Sequence, residues 1–210
     1  MLNPSMISTA VNIMTLTGHG EVTTVPDLAI LRLGVQTTGE HLTDIQYENA
    51  RVSQAVLKAL EQLNITDIKT YQYTIDKLYE YVDGKQIDKG YSIRNIFEIR
   101  TSNLDQVGQL IDTAVYYGAN VVDFIEFEVS DSNSYYFQAL DLAIENAFQK
   151  AYMIAKSYGL TDSPVAIRIN ETSTVPMPYV NVVSRENAIA TPIEPGSKQI
   201  KASVIIKFLY

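Results

Sequence analysis

The stretch "SYYFQALDLAIENAFQKAYMIAKSY", Ser134 to Tyr158, carries an alanine at every fourth position: Ala139, Ala143, Ala147, Ala151 and Ala155. A four-residue repeat keeps side chains on one side of an α-helix, so the spacing predicts one long helix with a ridge of small residues. Leu140, Ile144, Phe148 and Ile154 flank the ridge. A row of methyl groups lets another backbone come close, as ridge-into-groove packing requires. The helix reads as a packing element, and the rest of the chain as what it packs on.

Outward from it, strand patterns dominate. "VNIMTLTGHGEV" and "DLAILRLGVQTTG" are parted by Val25-Pro26, where proline has no N–H for a ladder, and they read as two edges of one sheet. Thr43 opens a helix with Gln46 three residues on, the spacing of a capping box, and Ile45, Val52, Val56, Leu60 and Leu63 recur at helical spacing. "IKTYQYTIDKLYEY" and "KGYSIRNIFEIR" alternate with period two about Asp83-Gly84, a type I′ dipeptide, and form a long hairpin. Asn103 caps a short helix through Tyr117 that Gly118 ends, and "NVVDFIEFEVS" follows as a strand. Beyond the long helix lie the strands "PVAIRIN" and "KQIKASVIIKFLY". The order β-β-α-β-β-α-β-α-β-β argues for an α+β fold: a largely antiparallel sheet with three helices, one long and alanine-rich.

Between the last two strands runs "STVPMPYVNVVSRENAIATPIEPGS", Ser173 to Ser197. Its prolines exclude a helix, while Val175, Met177, Tyr179, Val180, Val182 and Val183 make it too apolar for a flexible linker. The expectation is an extended arm at 173–197, packed on its own sheet or on a neighbouring subunit. Met177, Tyr179, Val180 and Val182 are its candidate assembly residues.

A chain of 210 residues with 46% hydrophobic and 19% charged content can bury a sizeable core. Its formal charge of -8 repels phosphate backbones and no basic run offsets it, so nucleic acid is excluded as a partner. The absence of cysteine excludes disulfides, thiolate chemistry and Cys-ligated zinc. No stretch approaches the ~20 apolar residues of a membrane span. The N-terminus lacks a basic region before broken apolar residues, so the chain as written reads as cytoplasmic. The alternative is a cell-envelope or extracytoplasmic location after removal of a signal peptide.

The residues offer little chemistry. His19 and His41 have no metal-ligand spacing, and Gly18 and Gly20 around His19 precede a strand where a phosphate loop needs a helix N-terminus. A strand bend or bulge is the reading for those glycines. Glu126 and Glu128 share a strand face but alternate with Ile125, Phe127 and Val129, the pattern of a half-solvated strand. Ser134 lacks a nucleophile elbow. No catalytic residue, metal site or cofactor is expected, and the chain does not read as an enzyme. Tyr71, Tyr73, Tyr79, Tyr81 and Tyr91 share the long hairpin on what alternation makes one face, suited to packing, an interface or, as the weaker reading, a peptide or glycan ligand.

Taken together, "GHGEVTTVPDLAILRLGV", "IKTYQYTI", "KGYSIRNIFEIR", "VGQLIDTAVYYGANVVDFIEFEVSD", "ALDLAIENAFQKAYMIAKSYGL" and "TPIEPGSKQIKASVIIKFLY" resemble the SIMPL-domain family, which includes bacterial periplasmic immunogenic proteins. The resemblance covers Thr17 to Tyr210, leaving 1–16 as an N-terminal extension with the start of the first strand and 17–210 as a single domain. It implies an α+β fold, large ring- or channel-like homo-oligomers, and a bacterial cell-envelope setting linked to stress tolerance. It implies no catalytic residue. The expected function is that of a noncatalytic self-assembling protein whose partner is itself. The alternative is a peptide- or glycan-binding module using the tyrosine-rich hairpin face.

Overall fold

A computed structural model describes residues 12–172 and 191–210 of the chain. The elements follow the expected order: strands β1 (Ile13–Thr24) and β2 (Leu28–Gly39), helix α1 (Leu42–Gln62), strands β3 (Asp67–Val82) and β4 (Lys85–Thr101), and helix α2 (Val107–Tyr116) behind a 3-10 turn, Leu104–Gln106. Strand β5 (Val121–Glu128), helix α3 (Ser132–Ser157) and strands β6 (Val165–Glu171) and β7 (Lys198–Leu209) complete it. The fold is α+β, with two antiparallel sheets ordered β1-β7-β6 and β3-β4-β2-β5. β1 and β2 therefore stand in different sheets, contrary to the reading that joined them.

The chain forms two compact units: residues 12–24, 131–172 and 197–210 build one, and residues 25–130 with 191–196 build the other. In sequence, the second is inserted into the first.

In the three-stranded unit, Ala139, Ala143, Ala147 and Ala151 of α3 are fully buried against Ile200, Ala202, Val204, Ile206 and Phe208 of β7. Asp131 caps the helix by accepting the Ser134 N–H. The alanine ridge packs as its spacing predicts. Its counterpart on β1 is glycine: a Cβ on Gly18 would lie 1.9 Å from the Ala143 carbonyl oxygen, and one on Gly20 1.9 Å from that of Ala139. The strand runs unbroken through both, in register with Val204 and Ala202, so the expected bend or bulge is absent. The glycines exist because the helix backbone lies directly on them.

In the four-stranded unit, α1 and α2 cover one sheet face, burying Val56, Leu60, Leu110 and Ala114 against Leu31, Leu33, Val35, Phe97 and Ile99. Helix α1 begins at Leu42 with His41 at its N-cap, which places Thr43 inside the helix and leaves the expected capping box unformed. Asp83 (φ 49°) and Gly84 (φ 76°) both take the left-handed turn that the hairpin requires. The unit's two chain ends are tied together: Asp27 donates its N–H to the Glu128 carbonyl, and its carboxylate accepts from the Ser130 N–H (2.7 Å) and hydroxyl (2.5 Å). The Ser130 bonds hold the Asp27 carboxyl below its usual range. Asp112 of α2 likewise accepts from the Thr191 hydroxyl (2.5 Å) and N–H (3.1 Å), fixing the segment that leads into β7.

Gly18→Ala and Ala147→Leu should each destabilise the protein by roughly 1–3 kcal/mol, because each puts atoms where a packed backbone already lies. Denaturant midpoints check this, and unchanged midpoints for both would contradict the packing.

Candidate functional site

The long hairpin extends past the sheet that carries it. β4 pairs with β3 along its whole length, but its ladder with β2 ends at Tyr91 opposite Gly39. From Tyr79 opposite Asp88 to Val82 opposite Lys85, the described residues form two strands and no third. Ion pairs brace it: Lys77 holds Asp88 at 2.8 Å and Lys89 holds Glu80 at 2.7 Å. The Asp88 carboxylate raises the Lys77 pKa, and Lys77 lowers that of Asp88.

Four of the five expected tyrosines stay on one face. Tyr73 stands opposite Asn95, whose amide reaches Ser53 of α1, so this is the helix side. The Lys77 ammonium lies 5.5 Å from the Tyr79 ring and 5.7 Å from the Tyr91 ring. Tyr81 follows Tyr79 by two residues and is 72% exposed. Tyr71 departs from the set: a register shift between Thr70 and Gln72 turns it to the opposite face, where its ring lies 3.8 Å from the Arg32 guanidinium carbon. The assembly candidates Met177, Tyr179, Val180 and Val182 lie outside the described residues.

That opposite face carries a cluster the sequence reading missed. Glu98 of β4 is 4% exposed and gathers three cations: Arg32 of β2 at 2.9 Å, Lys69 of β3 at 2.9 Å and Arg100 at 3.3 Å. Arg32 also stacks between Tyr71 and Phe124. Lys69, then Arg32, pull the Glu98 pKa down to about 2. A carboxylate so held is charged at neutral pH and a poor proton acceptor, so the cluster staples three strands together. The signal was present in sequence, as one arginine inside the apolar "LAILRLGV" and a glutamate between apolar residues in "NIFEIR", two positions before Arg100.

On the three-stranded sheet no described strand neighbours β1 on its outer side, and α3 reaches that edge at two points: Asn146 accepts the His19 N–H at 3.2 Å and Lys150 donates to the Thr17 carbonyl at 2.8 Å. Alternation sends the His19 and Glu21 side chains away from α3, into an open cavity of 380 Å³ shared with Lys201, Ser203 and Thr172. Glu126 and Glu128 stand on β5 opposite Ile30 and Leu28. Among the described residues, no three His, Asp or Glu side chains are grouped to hold a metal, and no helix is long and apolar enough to cross a membrane.

A family model described as SIMPL, a protein of unknown function (DUF541), matches residues 14–208. The protein YggE of Escherichia coli K12 is 28% identical over 174 residues, spanning 81% of this chain and 71% of its own length. The 26 kDa periplasmic immunogenic protein of Brucella melitensis is 27% identical over 207 residues, spanning 92% of this chain and 82% of its own. The Edwardsiella ictaluri YggE is 29% identical over 168 residues, with 77% and 69% covered.

Glu98→Gln should cost roughly 2 kcal/mol at pH 7, because three cations lose their shared anion. The folded-state pKa lies below the ordinary value of 4.5, so this stabilisation is complete above that pH and is lost as pH falls toward 2. Urea denaturation across this range should show the gap between wild type and variant closing with acid; a gap independent of pH would contradict the assignment.

Proposed function

The chain belongs to the SIMPL family, and on that premise we propose that it is a noncatalytic protein that assembles with copies of itself through the projecting β3–β4 hairpin. The observation that carries this is the hairpin's own surface: Tyr79, Tyr81, Val82 and Ile87 are all exposed on a two-stranded ribbon. Two strands alone are marginally stable in water, and tyrosine is favoured where an apolar body needs burial and a polar tip needs water. A partner hairpin supplies both. Among the described residues, outer strand β3 also has no strand on its far side, so its backbone edge is a template for another chain, whereas the β1 edge is bonded by Asn146 and Lys150 at His19 and Thr17.

A noncatalytic role is supported by the state of the buried carboxylate Glu98, which is engaged by three cations. The periplasmic location in the name of the Brucella relative supports an extracytoplasmic site of action for this chain over the cytoplasmic one. The runner-up role, a peptide- or glycan-binding module, now rests on Tyr73, Tyr79, Tyr81 and Tyr91 on one hairpin face, with Tyr79 and Tyr91 beside Lys77. A ring-like assembly linked to envelope stress remains part of the proposal on the family resemblance alone.

Light scattering coupled to size exclusion tests the reading. The wild type should run as a homo-oligomer, and the triple variant Tyr79→Ser, Tyr81→Ser, Ile87→Ser should lose mass while keeping its helix content. A wild type that is monomeric at micromolar concentration would overturn assembly; a monomer that binds peptide or glycan through the tyrosines would establish the runner-up.

A further inference from the structure

The cavity on the face of the three-stranded sheet away from α3 belongs neither to the hairpin nor to the Glu98 cluster. It follows from strand alternation: Gly18, Gly20, Ala202 and Val204 lie under α3, so the intervening His19, Glu21, Lys201 and Ser203 share the other side. The β1–β7 register sets His19 opposite Ser203 and Glu21 opposite Lys201. β6 adds Thr172, whose N–H and hydroxyl both donate to the Ser203 carbonyl, at 2.9 and 3.2 Å.

These groups divide by hydrogen-bonding role. The Ser203 hydroxyl lies 3.3 Å from the Gly18 carbonyl and 3.4 Å from His19 Nδ1. With the hydroxyl donating to Gly18, Nδ1 carries the imidazole proton and Nε2 is left as an acceptor. Thr172, its hydroxyl proton spent on Ser203, also offers acceptor capacity. The cavity thus presents the Glu21 carboxylate, His19 Nε2 and Thr172 Oγ1 as acceptors beside a single cationic donor, Lys201. Glu21 and Lys201 stand 3.4 Å apart, longer than a tight charge-assisted bond, and both are well exposed. An ion pair of this kind contributes little and opens readily to a competing ligand.

We propose that this cavity binds a small zwitterion, a free α-amino acid, with its ammonium on Glu21, His19 and Thr172 and its carboxylate on Lys201. The volume of 380 Å³ falls within the range of about 300–1,000 Å³ typical of small-molecule sites. The requirement for both charges on one small molecule separates a free amino acid from a peptide end, which brings one charge to the site. Openness to solvent sets weak binding, with half-saturation on the order of 1–10 mM.

The chain has only two histidines, so the ring signals of His19 are assigned against a His41→Asn variant in full-length protein labelled at histidine. Glycine should shift the His19 ring resonance saturably and leave His41 unmoved. Glycinamide, which lacks the carboxylate, and N-acetylglycine, which lacks the ammonium, should bind about tenfold more weakly. Glu21→Gln and Lys201→Ala should each weaken glycine binding several-fold without altering the assembled mass, which separates this site from the hairpin proposal. No saturable His19 shift up to about 100 mM glycine, or equal shifts from all three compounds, would overturn the assignment.

Discussion

The constraint on which the three-stranded unit depends is the closeness of α3 to β1. Neither partner could be larger: alanine on the helix and glycine on the strand are the residues that let two backbones meet with almost no side chain between them. That closeness has consequences beyond packing energy. It brings Asn146 and Lys150 within reach of the β1 edge, which they bond at His19 and Thr17. It also fixes which residues face away from the helix, and so assembles His19, Glu21, Lys201 and Ser203 on one open surface.

The four-stranded unit is held by charge as well as by its apolar core. Glu98 joins β4 to its neighbours on both sides through Arg32 and Lys69, while Asp27 closes the neck where the chain enters and leaves. Asp112 anchors the returning segment at Thr191. Beyond this frame the distal hairpin runs on as a ribbon with exposed tyrosines and, among the described residues, no third strand.

Most of the element order was legible because it rests on local periodicity. The alanine repeat, the Asp83-Gly84 turn and the two-residue alternation all survive in the fold. What local pattern could not carry was partnership: β1 pairs with the last strand of the chain, nearly two hundred residues away, as Gly20 opposite Ala202 illustrates. The meaning of Gly18 and Gly20 was hidden for the same reason, since it lies in a helix over a hundred residues downstream. Tyr71 left its expected face because one register shift inverts alternation, and sequence marks no such shift. The pair was legible in principle from Arg32, for a lone charge in an apolar central strand needs a counter-charge, and Glu98 stands opposite it in the adjacent strand.

The central claim is that the distal hairpin is completed by another copy of the chain. Amide hydrogen exchange measured at high and at low protein concentration tests it most directly, because an unpaired ribbon and a paired one differ in backbone protection. The account predicts slow exchange for residues 78–90 in concentrated protein, accelerating on dilution, while β2 and β7 stay protected throughout. Fast exchange of that segment at every concentration would contradict it.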